Sequence, residues 1–198
     1  MNWLVGIPVV LPLLGAGITL AFSNWRRVQW IISVTILSIS LAVSAALVYL
    51  AQDGPLVFDV GEWSAPVGIT LVADRLSTLM LIVSVAVTLA VLIYSLAQGV
   101  EDGEEAAPTA VYHPAYLILS AGVSNAFLTG DLFNLFVGFE ILLAASFVLI
   151  TMGGTRTRIR SGTVYVVVSM LSSIIFLVAI AMTYAATGTL SFAHLATR

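Results

Sequence analysis

The chain has 198 residues, 60% of them apolar and 9% charged, with a mean hydropathy of +1.10; ordinary soluble domains carry roughly 45–50% apolar and about 25% charged residues, so this composition indicates a membrane protein. All seven basic residues are arginine, the net charge is −3 and cysteine is absent. Nucleic acid is therefore excluded as a partner for want of a polybasic arm, and no disulfide, thiolate nucleophile or cysteine-ligated metal or iron–sulfur centre can form within the chain.

Apolar runs about twenty residues long predict an all-α polytopic membrane protein with six transmembrane helices, at about 3–23, 29–50, 73–97, 113–130, 131–152 and 163–187. With no internal repeat and no low-complexity linker, 1–198 reads as a single membrane domain. The first run lacks a positive leading segment and exceeds the length of a signal-peptide core, so it is read as a retained helix. Pro8 and Pro12 predict an irregular opening to it. Between the second and third runs, LVFDVGEWSAPVGITLVAD alternates apolar and polar residues around Ser64, Ala65 and Pro66, which predicts a short hairpin on the outer membrane surface.

Asp74 and Arg75 open the third run as adjacent opposite charges. The fourth and fifth runs are separated only at Thr129, Gly130 and Asp131, which predicts a tight turn with Thr129 or Asp131 as the helix cap. Arg26 and Arg27 follow the first run, and Arg156, Arg158 and Arg160 follow the fifth. By the positive-inside rule these loops are cytoplasmic and both chain ends lie outside, in a multi-pass protein of the plasma membrane. The acidic run EDGEE at 101–105 then falls on the inner side as well.

Glu140 stands alone as a charge within the fifth run. A carboxylate near the bilayer centre costs at least about 2.5 kcal/mol on insertion scales and persists where it faces protein or water. It is a candidate proton or cation relay, because moving between a desolvated state and a cationic neighbour changes its proton affinity. A protonated packing acid is the structural alternative. Nothing basic within the runs offers itself as a partner: Arg75 sits near the outer end of the third, so a basic partner is expected outside this sequence.

Hydroxyls at helical spacing, Tyr116, Ser120 and Ser124 on the fourth run and Tyr165, Ser169, Ser172 and Ser173 on the sixth, form stripes that could hold waters leading to Glu140 or pack one helix on another. Asn125 and Asn134 can orient water or a cation, or satisfy backbone at the turn. Asp74 joins the candidate polar pathway as an outer proton or cation residue, against helix capping and anchoring. Asp131 reads as a cap favoured by the helix dipole. His113 and His194 are too far apart for metal-ligand spacing and read as interfacial, so no metal or cofactor is expected. Gly138 reads as a point of close helix packing, and the arginine triplet as topology and headgroup contact.

The run LTGDLFNLFVGFEILLAASFVLI resembles the fifth-helix region of the D-type subunit of the Mrp multisubunit Na+/H+ antiporters, a relative of the antiporter-like subunits of respiratory NADH:quinone oxidoreductase. GDLFNLF, FE and ASFVLI carry the likeness, with VADRLSTLM at the third run and TGTLSFAHLA after the sixth in support. The resemblance implies the N-terminal portion of a fourteen-helix fold with two inverted five-helix repeats, stopping before a broken seventh helix that bears the lysine partner of the glutamate. It places the family's fifth-helix glutamate on Glu140. It also implies partners: other subunits of a hetero-oligomeric membrane complex, protons, Na+ or another monovalent cation, and the lipid bilayer.

These readings converge on a membrane subunit of a cation/proton antiporter, a transporter component rather than an enzyme. The alternatives are a proton-translocating membrane subunit of a redox complex and a structural scaffold without an ion path.

Overall fold

The computed structural model describes residues 2–63, 68–97 and 109–197. A 3-10 turn, Asn2–Gly6, leads into α1 (Ile7–Ala21), followed by α2 (Arg26–Leu50), the strands β1 (Leu56–Asp59) and β2 (Thr70–Ala73), α3 (Arg75–Ala97), α4 (Thr109–Leu128), α5 (Leu132–Thr151), α6 (Arg156–Thr187) and the short α7 (Phe192–Leu195). The irregular opening expected from the prolines is the 3-10 turn, after which Pro8 occupies the first turn of α1, where its missing N–H strands no carbonyl. The expected hairpin is an antiparallel pair in the register Leu56↔Ala73 to Asp59↔Thr70. Its tip at Ser64, Ala65 and Pro66, and the acidic run at 101–105, lie outside the described residues.

Five described segments are long and apolar enough, by length and composition, to cross a membrane: Asn2–Ala21, Arg26–Leu50, Arg75–Ser95, Leu132–Thr151 and Arg156–Thr187. The remaining predicted span, the fourth, is α4, a full helix but a more polar one, carrying His113, Pro114, Ser120, Ser124 and Asn125. Its position explains how it tolerates them. It packs against α1, α3 and α5, so these side chains face protein and not hydrocarbon. α6 also departs from expectation, starting at Arg156 because Thr155 caps it by accepting from the Arg158 N–H at 3.3 Å.

Two apolar layers hold the first four helices together. One gathers Val5, Leu47, Leu71, Ala73, Leu81, Val85 and Leu128 beneath the hairpin; the other, farther along the bundle, gathers Ala16, Ile36, Leu37, Leu92, Tyr116 and Leu117. The hairpin rests on the chain start, where the Asn2 amide donates to Val57 O at 2.7 Å. Across α3 and α4, Tyr116 Oη donates to Thr88 O at 2.7 Å and Tyr112 Oη pairs with Ser95 Oγ at 3.0 Å. α6 differs from all of these: it lies along α5 and buries only Gly162 and Ile180.

Candidate functional site

The turn between α4 and α5 is built as its sequence requires. Asp131 is extended, with φ −144° and ψ 155°, and its Oδ1 accepts from the Asn134 N–H at 2.7 Å, the geometry of an N-cap. Thr129 Oγ donates to Asp131 O at 3.0 Å, so both cap candidates take part. One turn into α5, Asn134 meets Asn125 of α4: each side-chain amide nitrogen lies 3.2 Å from the other's carbonyl oxygen, and Asn134 Nδ2 also donates to Thr129 Oγ at 3.0 Å. Both asparagines are buried, and this reciprocal pairing satisfies them against each other.

Glycines let the two helices approach closely enough for that pairing. A Cβ on Gly122 would stand 2.9 Å from the Leu142 backbone nitrogen, and one on Gly138 would stand 3.0 Å from Asn125 Nδ2. The expectation that Gly138 permits close packing is met. Asn134, Gly138 and Ala145 form the α4-facing stripe of α5.

Glu140 lies off that stripe, near the middle of α5, with its side chain exposed. At about 100° per residue it points roughly 120° or more away from the α4 contact. There it meets α6, where Ser173 Oγ donates to Glu140 Oε1. Next to this pair the Phe176 ring sits 6.2 Å from Phe136 and 6.1 Å from Phe139, so the acid and its hydroxyl partner are flanked by an aromatic clasp between α5 and α6. Toward the far end, Gly162 fits against Thr151 and Phe147.

The other predicted polar residues divide into separate groups. Ser120 and Ser124 are buried on α4, and Ser124 Oγ donates to Ser120 O at 2.8 Å. On α6, Ser169 is half-buried and Ser172 exposed, with Ser172 Oγ donating to Val168 O at 3.0 Å. Asp74 is exposed and caps α3: its Oδ1 accepts from the Ser77 N–H at 2.7 Å while Ser77 Oγ accepts from the Asp74 N–H at 2.9 Å. Arg75 is held by Gln52 O at 2.6 Å. Of the predicted residues, Ser173 is the one whose described hydrogen bond reaches Glu140.

Gln29 and His113 are among the buried polar residues whose burial the sequence reading did not anticipate. Gln29, 1% exposed, donates from Nε2 to Thr19 O at 2.8 Å and to Ala110 O at 3.0 Å. The second bond has a local cause: the helical donor for Ala110 O would be residue 114, a proline without an N–H. His113, expected at a membrane interface, is 3% exposed, packs edge-on against Tyr112 and leaves Nδ1 without a hydrogen-bond partner among the described residues. α4 begins at Thr109, so this residue lies one turn inside a helix that packs against α1, α3 and α5. The one available signal for Gln29 was Pro114 itself, which announces a carbonyl in need of a donor.

Comparison with known proteins follows the same lines. The family described as NADH:quinone oxidoreductase/Mrp antiporter, transmembrane, matches residues 129–198, the stretch containing the α4–α5 turn, Glu140 and α6. The whole chain is 40% identical over 204 residues to the D-type subunit of the Na+/H+ antiporter of Alkalihalophilus pseudofirmus, and 36% identical over 199 residues to its counterpart in Bacillus subtilis. In each case 100% of this chain aligns with 40% of the relative, so the chain spans well under half the length of these curated relatives. Among solved structures, the Mrp complex from Dietzia superposes with a TM-score of 0.86 at 33% identity, covering 98% of this chain and 37% of the matched one. The membrane-bound sulfane sulfur reductase, an archaeal respiratory membrane complex, superposes with a TM-score of 0.90 at 25% identity, over 100% of this chain and 40% of the matched one. In sequence along its whole length and in the course of its helices, the chain is similar to the D-type antiporter subunits, and over residues 129–198 it matches the NADH:quinone oxidoreductase/Mrp antiporter family.

Proposed function

We propose that this chain is the part of a plasma-membrane antiporter subunit that carries a proton- and cation-coupling glutamate. The observation behind the proposal is the position of Glu140: the lone charge of a helix otherwise fit to span a membrane, turned away from the α4 contact and bonded by Ser173 of α6. An acid in that place is tolerable only if the rest of the assembly covers it with protein or water. A carboxylate so placed exchanges protons with a hydrated path and responds electrostatically to a cationic group brought near it. Ser169 and Ser172, on the same stretch of α6, extend the polar line from Ser173, and the buried Asn125–Asn134 pair with Ser120 and Ser124 makes the α4 side rigid.

The test is sodium-driven proton movement in membrane vesicles carrying the full assembly. Glu140→Gln is isosteric and keeps an acceptor for Ser173. It should abolish the flux while the subunit remains inserted and assembled; flux at the native rate would refute the role.

A second reading, a proton-translocating membrane subunit of a redox complex, is favoured by the likeness to the archaeal respiratory complex. Mass spectrometry of proteins that co-purify separates the two. Further antiporter subunits alone support the antiporter, and soluble iron–sulfur proteins support the redox complex.

A further inference from the structure

The outward face of α1, α2 and α3 is framed by aromatic side chains at two levels. On α2, Trp30 and Tyr49 are both exposed and stand 19 residues apart, about 28 Å at ~1.5 Å per residue, against roughly 30 Å for the hydrocarbon core of a bilayer. The same interval separates the exposed Trp3 and Phe22 along the first helical segment, and Arg75 and the exposed Tyr94 on α3. Trp25 joins Trp30 at one end, and Trp63 joins Trp3 and Tyr49 at the hairpin end. Trp and Tyr collect at the two edges of the hydrocarbon, where the ring is buried and its polar tip is wet. All four tryptophans of the chain belong to these levels.

Between the levels the three helices carry no charged residue. What they expose is largely bulky and apolar: Leu14 and Ile18 on α1, Ile39 on α2, Val83 and Val87 on α3. The exposed hydroxyls of Thr35 and Ser38 are tolerable in lipid, because such a side chain can turn onto the carbonyl one turn back. The other side of the bundle differs. α5 and α6 lie beyond α4, and Tyr165 and Tyr184, again 19 residues apart on α6, put Ser173 and its partner Glu140 near mid-depth. A charge exposed at that depth is costly in hydrocarbon. At the end opposite the hairpin, the α1–α2 edge turns basic: Arg26 and Arg27, both exposed, sit between Trp25 and Trp30. Cations at that level complement the phosphates of anionic phospholipid.

We propose that the outward face of α1, α2 and α3 is the lipid-facing perimeter of the assembly, with Arg26 and Arg27 seated on the phosphates of anionic phospholipid and the apolar stretch beyond them against its acyl chains. The α5–α6 face is the one turned toward other protein. This lipid contact does not depend on the reaction that the assembly performs, so it stands with the antiporter and the redox-complex readings alike.

The experiment places photoreactive benzoylphenylalanine at Trp30, Ile39 or Leu177, one position per variant, in the full assembly held in nanodiscs of phosphatidylcholine and phosphatidylglycerol, and identifies the adducts by mass spectrometry. Leu177 lies one turn beyond Ser173 on α6. All three positions are exposed, so the probe leaves the packing of the bundle in place. Phospholipid adducts are expected at Trp30 and Ile39, and protein adducts at Leu177. At Trp30, phosphatidylglycerol should exceed its share of the nanodisc lipid by roughly fivefold or more, the usual effect of one basic residue at an anionic surface. Arg26→Gln combined with Arg27→Gln should return those adducts to the bulk composition. Adducts joining Ile39 to another subunit would overturn the perimeter, and lipid adducts at Leu177 would overturn the assignment of the α5–α6 face to protein. Phosphatidylglycerol at its bulk share beside the native arginines would overturn the anionic seat.

Discussion

Two acids on one helix illustrate how side-chain direction decides what a charge does. Asp131 sits before the first turn of α5, where unpaired N–H groups and the helix dipole favour a carboxylate. Replacing it with Ala should lower stability by about 1 kcal/mol, whereas Asn should be close to neutral; thermal unfolding of the solubilised assembly would distinguish these outcomes. Glu140 has no such local support, and its described bond is the one donated by Ser173. A hydrogen bond to a charged group contributes ~1.5–3 kcal/mol. Ser173→Ala should therefore slow antiport by about tenfold or more without abolishing it, measured as initial proton flux at equal expression. A rate equal to native would mean that the hydroxyl plays no part.

At the scale of elements, α4 shows how a helix too polar for lipid becomes central to a membrane bundle. Pro114 removes the donor that Ala110 O would receive, and Gln29 of α2 supplies it while also meeting Thr19 O at the end of α1. One amide thus ties three helices. Gln29→Leu strands two carbonyls and should cost about 2–6 kcal/mol, at roughly 1–3 kcal/mol for each. Adding Pro114→Ala restores the backbone donor, so the double variant should regain part of that loss in a double-mutant cycle. Purely additive effects would contradict the explanation given for Gln29. The α4–α5 contact depends on its glycines in the same concrete way: Gly122→Val would drive a side chain into the Leu142 backbone and separate the Asn125–Asn134 pair.

For the whole molecule, alternation of the helices puts Arg26, Arg27, Arg156, Arg158 and Arg160 at the end opposite the hairpin. The positive-inside rule then predicts the hairpin outside. The chain has no cysteine of its own, so single introduced cysteines give a clean readout. Val60→Cys, exposed beside the hairpin, should react with an impermeant maleimide in intact cells, and Asn24→Cys, exposed between α1 and α2, only after permeabilisation. The reverse pattern would invert the orientation.

The sequence by itself determined the membrane class, the number and approximate ends of the long helices, the hairpin, the α4–α5 turn with its cap, and the isolation of Glu140. These follow from local properties: the length of apolar runs, alternation, capping chemistry and the cost of a charge in hydrocarbon. What only the tertiary structure decided is which neighbour each polar group meets. The burial of His113 and Gln29, the pairing of Asn125 with Asn134 and the turning of Glu140 toward Ser173 all depend on helix rotation and on contacts between segments far apart in the chain. In lipid the hydrophobic effect does not choose between one apolar helix face and another, so small residues and hydrogen bonds set those rotations, and their partners appear only once the helices are packed.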